Sequence, residues 1–156
     1  MADPTTAEKR QAEARRLLRL FLNDTPALNR LIAREESDDP KLDLAILLAI
    51  DDWNISPPPL GIVDITTYPS LWLLIYGATI QVLRSNGLLH SRNDLPYSSG
   101  GVSVRLWDKT ALYQSWIAQF SQEYERKKVN FKMAMNIANS LASGVQSEYW
   151  TISRYW

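Results

Sequence analysis

Residues 108–143 read DKTALYQSWIAQFSQEYERKKVNFKMAMNIANSLAS. Along them Leu112, Trp116, Phe120, Tyr124, Phe131, Met135, Ala138 and Leu141 recur at steps of three, four or seven, the repeat of one helix face. Asp108 is a good N-cap and Gly144 a C′ glycine that ends the run. At 1.5 Å per residue such a helix is about 50 Å long, long enough to be the spine of a bundle. The fold class expected from it is mainly α: a helical bundle around one long C-terminal helix.

The preceding chain supplies helices of ordinary length. Residues 6–22 form an amphipathic helix whose apolar end is Leu17, Leu18, Phe21 and Leu22; its charged head is expected to face solvent or a neighbouring subunit. Thr25-Pro26 is a cap followed by proline, which predicts a short helix over 25–35 that buries Leu28, Leu31 and Ile32. Asp38-Asp39-Pro40 repeats the signal for a helix over 40–53. With Leu42, Ile46, Leu47, Leu48 and Ile50, that helix is too apolar all round for a surface position and is expected at the centre of the core. The prolines of Ile55-Ser-Pro-Pro-Pro-Leu-Gly61 exclude a helix and predict a stiff connector. A helix over 69–86 follows, closed by Gly87. Residues 88–107 differ: Gly100-Gly101 precedes the alternating Val102-Ser-Val-Arg-Leu106, which predicts a protruding loop or β-hairpin. The bundle domain therefore spans 1–144, and 145–156 form an extended C-terminal arm.

That arm, Val145-Gln-Ser-Glu-Tyr-Trp-Thr-Ile-Ser-Arg-Tyr-Trp156, holds two tyrosines and two tryptophans with one acid and one base. So apolar a segment is expected to dock, on its own bundle or on another chain by strand addition or pocket insertion. The expectation favoured here is the second.

Composition narrows the function. Seventeen basic and seventeen acidic residues balance, which counts against a module that neutralises many DNA phosphates. There is no cysteine, which removes disulfides, thiolate zinc sites and cysteine nucleophiles. The first ten residues run into charge without the apolar core of a signal peptide, and Leu71–Leu83 is too short to span a bilayer. A soluble protein assembled in the cytoplasm is expected. His90 with Asp94 is a conceivable general base, yet no nucleophile or anion-binding glycine loop accompanies the pair. Asp38-Asp39 and Asp51-Asp52 match no Mg²⁺ or Ca²⁺ loop; the first suits helix capping, the second a helix end turning into solvent. No enzyme activity, catalytic residue, metal or cofactor is expected. Glu123-Tyr-Glu-Arg-Lys-Lys128 reads first as a solvated face with Glu123–Lys127 pairing, and second as a surface for a neighbouring subunit or nucleic acid.

Gly77-Ala-Thr-Ile-Gln-Val-Leu-Arg-Ser-Asn-Gly87, His90-Ser-Arg92, Ser99-Gly-Gly-Val102 and Trp116 with Glu123–Lys128 resemble structural proteins encoded among the head and neck genes of tailed bacteriophages. The layout is similar to that of head–tail adaptors, also called connectors or head-completion proteins. The likeness covers residues 50–140, and its motifs are descriptive rather than catalytic. It implies a virion protein of the phage neck: a homo-oligomeric ring, generally a dodecamer, beneath the portal. Such a ring continues the DNA channel without sequence-specific binding and gives the tail a platform. It implies the portal protein and the next neck or tail-completion protein as partners, with no membrane. The portal-binding arm would then carry Tyr149, Trp150, Ile152, Tyr155 and Trp156. Subunit or neck-ring contacts would fall on Arg92, Tyr97, Val102, Val104, Glu123, Arg126 and Lys127, and the charged first helix would pair across subunits. The alternatives are a ring-forming DNA-packaging protein of the small-terminase kind and a small helical enzyme using His90 and Asp94.

Overall fold

The computed structural model describes residues 5–29, 34–92, 97–99, 102–104 and 110–142. Among them the chain is mainly α, with four helices: α1 (Thr6–Leu22), α2 (Asp39–Ile55), α3 (Leu71–Arg92) and α4 (Thr110–Ala142). Residues Tyr97–Ser99 (β1) and Val102–Val104 (β2) pair antiparallel, Tyr97 opposite Val104 and Ser99 opposite Val102. The expected glycine turn, the Asp108 cap, Gly144 and the whole C-terminal arm lie outside the described residues.

Local chemistry sets the helix ends. Thr5 and Glu8 close a reciprocal capping box at the start of α1, and Asn23 ends that helix in the left-handed conformation. Asp38 caps α2 through the Lys41 amide, with Pro40 in the first turn. Ser70 caps α3: its carbonyl accepts from Leu74 N–H and its hydroxyl from Leu73 N–H, so α3 starts two residues after the expected Pro69.

The helix expected over 25–35 does not form among the described residues. Thr25–Leu28 make a single turn and Leu28 is 61% exposed; Leu31 and Ile32 are outside the described residues. The reason is buried Asp24, whose carboxylate accepts from the Glu36 and Ser37 amides at 2.6 and 2.9 Å and from Asn29 Nδ2 at 2.7 Å. With those amides turned toward Asp24, Glu36 and Ser37 are held beside it. Burial works to raise the Asp24 pKa, but these donors and Arg19 overcome it and hold it below its ordinary 3.8. Arg19 also donates to the Ser37 carbonyl and pairs with Asp39 at 2.7 Å, and Arg15 pairs with Asp39 and Asp43. Arginines 15 and 19 therefore tie α1 to α2 within one chain.

The central element is α3 rather than α2. It runs antiparallel to both long neighbours: Lys41 meets Asn86 and Ala49 faces Gly77 on one side, while Gly77 meets Tyr124 and Gly87 meets Tyr113 on the other. The core gathers Leu18 from α1, Leu42, Ile46, Ala49 and Trp53 from α2, Leu73, Leu74, Ala78, Ile80 and Val82 from α3, and Tyr124 from α4. One side of α2 stays outside it: Leu44, Leu47 and Leu48 are exposed, which corrects the expected burial of Leu47 and Leu48. Gly87 does not end α3. The helix continues to Arg92 because Tyr113 lies over Gly87 and stacks on His90, 5.2 Å between ring centroids, so the expected loop does not begin at 88. After α2, Asn54 exchanges two hydrogen bonds with the Val63 backbone. Asp64 then accepts from Thr66 and Thr67, which hold its carboxyl down at about 2.

Gly77 is where α2, α3 and α4 approach most closely. A Cβ there would lie 3.1 Å from the Ala49 methyl and 3.2 Å from the Tyr124 ring. Neither neighbour can swing away, since Ala49 is helical and the Tyr124 hydroxyl is bonded to Asp52. Replacing Gly77 by valine is expected to lower stability by about 2–3 kcal/mol, read as an earlier urea midpoint at unchanged slope. An unchanged midpoint would mean the three helices are not in this register.

Candidate functional site

In α4 the residues facing the core are not those of the apolar stripe alone. Tyr124 is buried, and in line with it at steps of four come Lys128 and Lys132, each only 1% exposed. Lys128 Nζ donates to Asp52 Oδ2 at 2.7 Å, to Ser56 Oγ at 2.9 Å and to Glu125 Oε1 at 2.9 Å. Tyr124 Oη donates to the same Asp52 oxygen at 2.9 Å. Lys132 Nζ donates to the Trp53 carbonyl at 2.6 Å and to the Ser56 carbonyl, and lies 4.8 Å over the Trp53 ring. Apart from Glu125 on α4 itself, these acceptors belong to the last turn and cap of α2, where carbonyls lack helical partners and a cation is favoured. That turn has no base of its own. The cations come from α4.

This site grips a helix end. Burial raises the Tyr124 pKa, with Tyr68 and Asp52 adding to the effect, so its hydroxyl stays a donor. Burial also lowers the Lys132 pKa below its ordinary 10.5, nearby Lys128 adds to this, and Asp52 opposes it. Asp52 is therefore a bonded partner, which corrects the reading of Asp51-Asp52 as an end turning into solvent. Asp51 alone is exposed.

The expected contact residues Glu123, Arg126 and Lys127 fall on the flank of the same segment. Glu123 pairs with Lys127 at 2.7 Å, as the spacing predicted, and accepts from Tyr76 Oη at 3.0 Å. Lys127 and then Tyr76 hold the Glu123 carboxyl below its ordinary range. Lys127 Nζ lies 3.9 Å over Trp72, which stacks on Tyr76 at 4.1 Å; Phe21 and Phe120 complete an aromatic cluster around Tyr76. The charge run is thus solvated only in part: Glu125, Arg126 and Lys127 are exposed while Lys128 is fully enclosed. Arg92 is the exposed last residue of α3, and Tyr97, Val102 and Val104 belong to the paired strands. His90 packs on Tyr113, whereas Asp94 and the five arm residues Tyr149, Trp150, Ile152, Tyr155 and Trp156 are outside the described residues.

The length of α4 produces its exposed surface. Thirty-three residues against the twenty-two of α3 leave an overhang, because Lys127 already meets Trp72 in the first turn of α3. Beyond that level the two lysines, Phe131 against Trp53 and Met135 at the edge of the core anchor α4. Val129, Met133 and Ile137, at steps of four, stand exposed along one flank, and Ala138 is exposed as well. On α2, Leu44, Leu47 and Ile50 form a groove of about 480 Å³ with Val63 and Ile65, lined also by Asp43, Asp51 and Asp64. At its other end α4 leaves Leu112 and Trp116 exposed, so the apolar stripe is buried only in the middle of the helix.

Among the described residues no group of three histidine, cysteine or carboxylate side chains is placed to hold a metal ion, and no helix is long and apolar enough to cross a membrane. Comparison with family models, with curated proteins and with solved structures finds no match to this chain.

Replacing Lys132 by methionine keeps the aliphatic stem and leaves the Trp53 and Ser56 carbonyls without their donor. The expected loss is about 1–2 kcal/mol at neutral pH. Because the folded pKa of Lys132 lies below 10.5, the unfolded chain holds this proton more tightly. The stability that Lys132 contributes therefore rises with pH through the window ending at 10.5. The gap between the parent protein and Lys132→Met, measured by urea unfolding from pH 8 to 10, should widen; a flat or narrowing gap would contradict the assignment.

Proposed function

We propose that this protein is a structural assembly subunit, a head–tail adaptor of a phage neck that forms a ring under the portal. The observation that carries the reading is apolar surface left on two separate elements of one small chain. Leu44, Leu47 and Leu48 line the outer side of α2, and Val129, Met133 and Ile137 line the α4 overhang. Contiguous apolar surface of this kind marks interaction sites, and two distinct patches suit repeated subunits. The resemblance of residues 77–87, 90–92, 99–102 and 116–128 to neck proteins supplies the setting: a ring, generally dodecameric, through whose lumen double-stranded DNA passes. In this reading the protein resides in the virion and is assembled in the host cytoplasm.

Arm residues Tyr149, Trp150, Ile152, Tyr155 and Trp156 then insert into the portal, where buried aromatics contribute most per residue. In this reading the paired strands carrying Tyr97, Val102 and Val104, and Arg92 at the end of α3, meet a neighbouring subunit or the next neck protein. The exposed side of Glu123–Lys127 lies at such a contact too. Surface ion pairs contribute little each, so apolar packing and arm insertion provide most of the assembly energy.

Deleting residues 149–156 tests the portal role. The truncated protein is expected to keep its helical circular dichroism and its unfolding midpoint while no longer co-purifying with portal-bearing heads. Truncation that unfolds the helices would assign the arm to the protein's own core instead.

A further inference from the structure

The α2 groove and the α4 overhang lie on opposite sides of α2 within one chain. Asp52 is the α2 residue that meets α4, through Tyr124 and Lys128. At 100° per residue, Leu47 and Ile50 lie roughly 140–160° round the helix from Asp52, on the far side. The overhang of a chain is therefore held behind its own groove. It is free to enter that of another copy.

We infer that the overhang of one copy docks head to tail in the α2 groove of the next, with Val129, Met133 and Ile137 as anchors. The shapes suit a helix laid in a groove: three apolar side chains at steps of four face an open apolar trough. The charges agree as well. Three carboxylates line the groove and no base does among the described residues; Arg15 neutralises Asp43, which leaves Asp51 and Asp64 as a negative rim. Asp64, with its carboxyl at about 2, keeps that charge at any physiological pH. The overhang sets no acid against that rim, since none occurs from Arg126 to Ser147, and exposed Arg126, about one turn before Val129, brings the opposite sign. A contact between two different patches repeats from copy to copy and closes into a ring when the rotation permits. This inference rests on the assembly reading above and gives that assembly its subunit contact.

The test uses the full chain in two variants, Leu47→Asp in the groove and Met133→Asp on the overhang. Both side chains are exposed, 61% and 54%, so circular dichroism should report an unchanged fold for each. The parent chain is expected to self-associate with concentration in sedimentation, and each variant alone to lose at least about tenfold in affinity, 1.4 kcal/mol. Mixing the variants should form one-to-one pairs and nothing larger, because one sound groove then meets one sound overhang. Oligomers that persist in both variants, or variants that fail to pair when mixed, overturn the contact while leaving assembly through other surfaces standing. A parent chain that is monomeric at about 1 mM overturns the contact and removes self-assembly from the functional reading too.

Discussion

Two buried ammonium groups hold the last helix to the rest of the protein. Lys128 and Lys132 reach from α4 to the final turn of α2, where Asp52 and the Trp53 and Ser56 carbonyls receive them. Burying a cation is costly unless charge and hydrogen bonds compensate. Here the compensation is concrete: an ion pair at 2.7 Å, a tyrosine hydroxyl on the same carboxylate, and the negative end of a helix dipole. Asp52 stays partly open to water, so its pair with Lys128 is screened on one side and works through geometry as much as through Coulomb attraction. Removing either partner would strand the other, which makes the arrangement all-or-none and fixes the register of α4.

That register has consequences at both ends of α4. With Tyr124 on Gly77 and Lys132 on the end of α2, the helix outruns α3, and its distal turns present side chains that the described residues leave exposed. The same clasp places the overhang on the opposite side of α2 from the apolar groove. A protein organised this way has a stable centre and two unsatisfied surfaces facing apart. The proposed neck adaptor needs these properties, since its subunits must keep their fold while free and complete themselves only on their neighbours.

Much of this was legible in the sequence. The amphipathic pattern located α1 at both ends, the Asp38-Asp39-Pro40 signal began an α2 whose ends fall within two residues of those expected, and the apolar repeat revealed the long α4. Four features escaped. Residues 25–35 read as a helix because Thr25-Pro26 is a sound start signal; the four donors that gather on Asp24 come from residues up to thirteen positions away. Gly87 looked like a helix end, yet Tyr113 from another element covers it, and only tertiary packing can say so. Lys128 was read as solvent-facing because charge runs usually are, and Lys132 drew no reading at all. The register nevertheless held a signal: Phe120, Tyr124, Lys128 and Lys132 are successive steps of four, and the apolar stripe leaves a gap where the lysines stand. The exposed side of α2 was invisible for a related reason, since a helix apolar all round looks the same whether its second face meets its own core or another copy.

The most direct test of the clasp is a double-mutant cycle between Asp52→Asn and Lys128→Met, with stabilities taken from urea unfolding. If Lys128 is held in place by Asp52, the two losses are strongly non-additive, with a coupling of at least about 1 kcal/mol, because the second change removes a partner already stranded by the first. Losses that simply add, to within about 0.3 kcal/mol, would mean the two side chains do not depend on each other and that something else holds α4.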